Sequence, residues 1–362
     1  MQQHAGNSFT TLLLDWHQTN PRELPWKDTR DPYLIWLSEI ILQQTRVEQG
    51  TPYYLRFKKA YPTVQALAKA PLDDVLKNWE GLGYYSRARN MHETARYIHL
   101  QLNNVFPNSY KELLQLKGVG PYTAAAIASF AFNLPTAVVD GNVYRVLSRY
   151  FGIFTPIDSG AGKKEFALLA DQLIDSEDPA GYNQAIMNFG AIQCVPAKPD
   201  CQRCPLAEQC QAFLQEQIEV LPVKAKAKPK KDRYFNYIVI NYQQQTLLEK
   251  RQEQDIWKGL YQFPLVEYEG PEIEFDVLLA LLESSFPDMY KLINKQSVSK
   301  PFRQTLSHRF IHARFWEFHL NQLPDFDNLR FQLVQRSKLS NFALPRIIDW
   351  YLRDKSLYLE LV

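Results

Sequence analysis

"LLQLKGVGPYTAAAIASFAF", Leu113–Phe132, decides how the first half of this chain is read. An apolar run ends at Leu116, Gly118 and Gly120 bracket Val119, and a run of small residues follows Tyr122. Two glycines that close together end one helix in a tight turn, and a new helix starts at once. Lacking side chains, they let a phosphate approach backbone N–H groups, and the second helix's N-terminus adds a favourable dipole. Most Gly-x-Gly turns merely connect helices, so the reading needs support elsewhere. Further along, "VVDGNVYRVLSRY", Val138–Tyr150, places Asp140 before Gly141 and Asn142 where another helix starts. An aspartate there is commonly a plain N-cap.

A second stretch poses a question. In "DPYLIWLSEIILQQTRVEQ", Asp31–Gln49, Glu39 lies among Trp36, Leu37, Ile40, Ile41 and Leu42. A solvated glutamate belongs on a helix's polar face, and this segment has none. Desolvating an unpartnered carboxylate is costly.

With 362 residues the chain exceeds one typical core and suffices for two domains. A net charge of +2 neither demands nor excludes nucleic acid. The opening "MQQHAGNSFTTLLLDWHQ" has no basic start and no long apolar run, and no segment is apolar enough to span a bilayer. A soluble, cytoplasmic, nucleoid-associated monomer with no membrane contact is expected. From Phe9 to about Leu221 apolar residues recur at helical spacing, as in "DDVLKNWEGLG" and "FALLADQLIDS". From Tyr234 onward, "RYFNYIVINY" and "HARFWEFHL" read as strands, with "FDVLLALLESSF" and "RIIDWYLRD" as helices among them. "PVKAKAKPKKDR", Pro222–Arg233, reads as a solvated connector. The expected domains are therefore 1–221, all-α; the linker 222–233; and 234–362, α+β.

All four cysteines, Cys194, Cys201, Cys204 and Cys210, fall in one short segment. Two disulfides would suit a secreted chain; in a cytosolic one, clustered thiols point to a metal. Zinc ribbons usually show two Cys-x2-Cys knuckles. One close pair with wider outer spacing favours an iron–sulfur cluster.

The cysteine spacing matches the cluster loop of the endonuclease III group of DNA glycosylases. Hairpin, Asp140, cysteine loop and C-terminal domain together resemble the MutY-type adenine DNA glycosylases. The resemblance implies a helix-hairpin-helix glycosylase domain with an iron–sulfur loop, split into a hairpin module at about 26–136 and a cluster module at about 1–25 and 137–221. It implies a [4Fe-4S] cluster on the four cysteines, with Lys198 and Arg203 turned to DNA. Where a lyase of the endonuclease III type has a lysine, this chain has Tyr122, which implies a monofunctional enzyme. Glu39 matches the catalytic glutamate, with its pKa raised by an apolar pocket so that it can act as general acid. Asp140 matches the acid that stabilises an oxocarbenium-like sugar. Tyr122 and Asn142 would orient Asp140 and the sugar. The substrate implied is double-stranded DNA with adenine opposite 8-oxoguanine or guanine, the adenine being extruded into the pocket.

By the same resemblance, Arg22, Trp26 and Gln184 border the pocket. Lys27 stands where the family often has arginine. Gln43, Gln44 and Thr45 match the segment that enters the duplex, and Gly118, Val119 and Gly120 hold the backbone. Leu82 and Tyr84 are candidates for distorting the duplex, with Arg87 and Arg89 as phosphate contacts and Tyr85 in the core. In the second domain, "WKGLYQFPLVE", Trp257–Glu267, resembles a Nudix strand, but the Nudix run of magnesium-binding glutamates is missing. That implies a Nudix-like domain that recognises 8-oxoguanine. Its recognition loop would be Leu306, Ser307 and His308, with leucine replacing the family's usual phenylalanine.

Overall fold

The computed structural model describes residues 2–225, 229–252, 254–285, 293–322 and 331–359. The chain divides into two compact units: Met1–Ala70 with Asn90–Lys226, and Pro71–Arg89 with Ala227–Val362.

The first unit is helical. Asp31 caps the Pro32–Leu42 helix by accepting from the Tyr33 N–H at 2.9 Å, and Pro32 supplies a preset φ at its first turn. Tyr33 and Ile35 through Ile41 are all buried, so this helix is enclosed on every side and has no polar face for Glu39. It packs against Pro121–Phe132, where Ala124, Ala125 and Ala126 allow close approach. The Gly141–Phe151 helix is capped by Asp140, which accepts from the N–H groups of Asn142 and Val143, both at 2.8 Å. Its inner face, Val143, Val146, Leu147 and Tyr150, joins Phe9, Leu13, Phe166, Tyr182 and Phe189 in one core. No helix among the described residues is long and apolar enough to cross a membrane.

The second unit is built on a mixed sheet of eight strands: β1 (Lys231–Tyr242), β2 (Gln245–Lys250), β3 (Tyr261–Gln262), β4 (Leu265–Tyr268), β5 (Ile293–Val298), β6 (Phe302–Thr305), β7 (Arg309–Leu320) and β8 (Phe331–Gln335). Its main path runs β3-β2-β1-β7-β5, with β4 also on β1, β6 on β7 and β8 on β2. β1 and β7 run parallel from Lys231↔Arg309 to Asn241↔His319; the other pairs are antiparallel. The parallel pairing draws Lys231, Asp232 and Arg233 into β1, so the strand starts inside the stretch that the sequence assigns to the connector.

Both faces of the sheet are covered. Ile238, Ile240, Trp316 and Phe318 pack with Leu278 and Leu282 of the Phe275–Ser285 helix. On the other face, Tyr351 of the Arg346–Leu359 helix stacks on Phe315 at 3.9 Å, and Phe315 stacks on Tyr237 at 5.1 Å. Burial on both sides explains why the strands alternate only partly in sequence. Phe286, at the end of "FDVLLALLESSF", lies outside the described residues.

Pro71–Arg89, placed by sequence inside the helical module, groups with the second unit. Polar contacts account for this. Asp73 accepts from Lys250 Nζ at 2.5 Å and from the Tyr261 hydroxyl at 2.9 Å, and Glu80 accepts from the Leu344 N–H at 3.0 Å.

Candidate active site

Three of the helices described above meet around a cavity of about 190 Å³ in the first unit. The Pro32–Leu42 helix supplies Glu39, the Pro121–Phe132 helix supplies Tyr122, and the cap of Gly141–Phe151 supplies Asp140 and Asn142. The sequence spreads these residues over about a hundred positions, and the fold gathers them on one wall.

Glu39 is 6% exposed. Burial lifts its pKa from 4.5 to about 7; the nearby Asp140 charge raises it further, and a hydrogen bond from the Tyr122 hydroxyl opposes the rise. The Tyr122 hydroxyl therefore has Glu39 as a hydrogen-bond partner. Burial also raises the Asp140 pKa above the ordinary aspartate range, against the two backbone N–H donors of its cap, the Asn142 side chain at 2.9 Å, and Arg145. Those donors favour the carboxylate form and fix its direction. Asn142 is held in turn: Arg145 Nη2 donates to its Oδ1 at 2.8 Å and also to Gly190 O, while Arg145 Nε donates to Cys194 O.

Arg22, Trp26 and Gln184 line the same cavity, as the sequence predicts, and so does Thr45, which the sequence assigns to the segment that enters the duplex. Lys27 lines it too, with Glu23 3.8 Å away. Residues that sequence reasoning missed include Asn188 and the apolar wall of Leu24, Phe130 and Met187. Asn188 stands one helical turn after Gln184 on the Pro179–Asn188 helix.

The four cysteines surround a separate cavity of about 30 Å³, walled by Val146, Tyr150, Phe189, Leu206 and Phe213. Arg149 Nη1 lies 3.5 Å from Cys194 Sγ, and its other N–H groups donate to the carbonyls of Val195, Pro196 and Leu221. Among the described residues, no three His, Cys, Asp or Glu side chains converge on a point that would suit one metal ion.

A family profile described as "HhH-GPD superfamily base excision DNA repair protein" matches residues 37–167, and a NUDIX domain profile matches 236–354. The chain is 35% identical over 328 residues to an adenine DNA glycosylase of Buchnera aphidicola subsp. Baizongia pistaciae (strain Bp), covering 88% of each chain. A second adenine DNA glycosylase, from Buchnera aphidicola subsp. Schizaphis graminum (strain Sg), is 34% identical over 89% of this chain and 88% of its own. The chain belongs to the adenine DNA glycosylase family. Among solved structures, a thermostable thymine-DNA glycosylase superposes with a TM-score of 0.54 at 31% identity, over 59% of this chain and 99% of its own. The protein is thus a DNA glycosylase, an enzyme that hydrolyses N-glycosyl bonds, with a Nudix-like domain after its helical one.

The hairpin of this glycosylase has the form read from its sequence. Gly118 sits at φ +79°, and a Cβ there would lie 2.9 Å from Asn90 Cβ, so the position demands glycine. Gly120 caps the following helix in extended backbone, and a Cβ there would meet nothing within 4 Å. Val119 is buried and its N–H bonds Leu116 O, so it shapes the turn and presents no side chain to DNA. In the segment after Glu39, Gln43 donates to Thr123 Oγ1 at 3.1 Å, while Gln44 is exposed at φ +55°.

Other predicted DNA contacts stand differently. Leu82 is buried, as is Tyr85. Tyr84 is 46% exposed at φ +50°, and its hydroxyl is 2.5 Å from Ser307 Oγ. Arg87, read as a phosphate contact, is buried instead: its guanidinium lies over the rings of Trp79 and Tyr84, and Nη2 donates to Gly83 O. Arg89 Nη1 likewise donates to Lys258 O at 2.6 Å. Both guanidinium groups are thus engaged within the protein. Ser307 and His308 are exposed in the tight turn between β6 and β7, with half-buried Leu306 beside them. In the cysteine loop Lys198 is exposed, and Arg203 pairs with Asp200 at 2.6 Å.

Proposed function

We propose that this enzyme is a monofunctional glycosylase that releases adenine mispaired with 8-oxoguanine or guanine in double-stranded DNA. The observation that carries the reading is Glu39: a carboxyl enclosed in an apolar helix, lifted to about 7, and sharing a cavity with a second carboxyl, Asp140, that accepts from two backbone N–H groups and the Asn142 amide. Two acids with divergent environments suit a division into proton donor and charge stabiliser.

In this mechanism the extruded adenine enters the cavity with N7 at Glu39. Glu39 gives its proton to N7, which draws electrons into the ring. The C1′–N9 bond breaks, its electron pair leaves with the base, and positive charge develops on C1′ and the ring oxygen. Asp140, whose carboxylate form the N–H groups at its helix cap favour, faces that charge. Water adds to C1′ and its proton returns to Glu39, restoring the acid. Tyr122 holds Glu39 in place, and no amine is present at that position to trap the sugar as a Schiff base.

The cysteine site fits an iron–sulfur cluster better than a single ion. Four thiols lining one apolar cavity are the donor set of a [4Fe-4S] cube, which Cys194, Cys201, Cys204 and Cys210 would hold. When bound, the cluster would order the loop and supply no step of the hydrolysis. Recognition of 8-oxoguanine is assigned to Ser307 and His308, whose polar side chains are exposed on a tight turn. Gln43, Gln44, Thr45 and Tyr84, with the Gly118–Gly120 hairpin, are the proposed contacts to distorted duplex.

The test is single-turnover release of adenine from a duplex carrying adenine opposite 8-oxoguanine or guanine. Release that is fastest opposite 8-oxoguanine, without strand cleavage, is expected. A wild-type enzyme that binds this duplex but leaves adenine in place refutes the proposal.

A further inference from the structure

We infer that Asn188 reads the N1 position of the extruded base, with Gln184 beside it reading the 6-amino group; the assignment rests on adenine being the substrate. Gln184 and Asn188 stand four residues apart on the Pro179–Asn188 helix, so they share a face, and both line the cavity that holds Glu39. Gln184 Nε2 donates to Asn188 Oδ1 at 3.1 Å. Asn188 is 2% exposed, and its Nδ2 is buried with no hydrogen-bond partner among the described residues. A buried amide donor without a partner is costly, and native structures rarely leave one without a reason.

The bond between the two amides decides what each has left to offer. With one N–H of Nε2 spent on Asn188, Gln184 still offers its carbonyl oxygen, an acceptor for the 6-amino group. With Oδ1 committed, Asn188 has its Nδ2, a donor. An acceptor next to a donor complements the adenine edge, where the 6-amino group donates and N1 accepts. Guanine and hypoxanthine present the opposite order, a carbonyl at C6 and an N–H at N1. With Glu39 at N7, three consecutive positions of the purine rim are addressed, and a base that accepts at N1 satisfies the Asn188 donor. Lys27 also lines the cavity and is the competing donor for N1.

The experiment compares single-turnover release of adenine and of 1-deazaadenine, which lacks the N1 acceptor, opposite 8-oxoguanine. The proteins are the wild type, Asn188→Leu and Lys27→Met, with Asn188→Ala as a second variant if the leucine lowers the melting temperature. The wild type should favour adenine. Each Asn188 variant should slow adenine release by about tenfold, the size expected when one hydrogen bond to a buried group is lost, and leave 1-deazaadenine unchanged, so that the preference collapses. Equal slowing of both bases would make Asn188 merely structural and overturn the assignment. So would a preference that survives in the Asn188 variants, or one that vanishes in Lys27→Met alone. A wild type inert on adenine removes the substrate reading itself; a wild type active on adenine without preferring it over 1-deazaadenine removes only the role of Asn188.

Discussion

Replacing Glu39 by glutamine should stop catalysis and stabilise the fold, and the second effect should depend on pH in a calculable way. Folding lifts the Glu39 carboxyl from 4.5 to about 7, so the folded state holds its proton more tightly than the unfolded chain does. For an acid shifted upward the penalty is absent below 4.5, grows between 4.5 and about 7, and is complete above. At pH 8 it amounts to about 3 kcal/mol, and at pH 5 to about 1 kcal/mol. Glutamine matches the carboxyl in shape, can accept from Tyr122, and carries no such penalty. Glu39→Gln should therefore raise the melting temperature of the helical unit by several degrees at pH 8 and much less at pH 5. Calorimetry of both proteins at the two pH values checks this. In the wild type, single-turnover release should fall about tenfold between pH 6 and pH 8 as the proton leaves Glu39, and glutamine should cost at least about a hundredfold at any pH. Stabilisation of equal size at both pH values, or a rate independent of pH in this range, would refute a protonated Glu39.

Three further outcomes follow from the same geometry. Asp140→Asn removes a charge that raises the Glu39 pKa, so the residual activity of this slow variant should lose its proton at lower pH than wild type, read from the pH–rate profile. Gly118→Ala should destabilise the protein by about 1–3 kcal/mol, through a left-handed backbone and the crowding of Asn90, whereas Gly120→Ala should leave melting unchanged yet weaken binding to duplex DNA. Purified protein should absorb near 400 nm, and Cys204→Ser should lose that absorbance together with the order of the cysteine loop, read by limited proteolysis; a colourless wild type loaded with zinc would contradict the cluster.

The outline of the fold is legible in the sequence because its signals are local. Gly118 needs a left-handed turn, Asp140 caps a helix, and the cysteines lie within one short loop, so each announces itself within a few residues. Glu39 is legible for a related reason: a carboxylate with apolar neighbours on every helical face has to be buried wherever the helix goes. Position 188 gave no such signal, since an asparagine at the end of a helix is ordinary until a cavity and an unpartnered amide surround it. Arg87 and Arg89 show the opposite failure. Basic residues after a glycine-rich turn read as phosphate contacts, and only packing reveals that Trp79, Tyr84 and backbone carbonyls occupy them. The strand start at Lys231 and the grouping of Pro71–Arg89 depend on partners far along the chain, which no local pattern encodes. What the sequence by itself determined were the turns, caps and buried runs, each set by a residue's own conformational and solvation preferences. Which donors meet which acceptors, and so where the pKa of Glu39 settles, was decided only when tertiary packing excluded water and brought distant residues together.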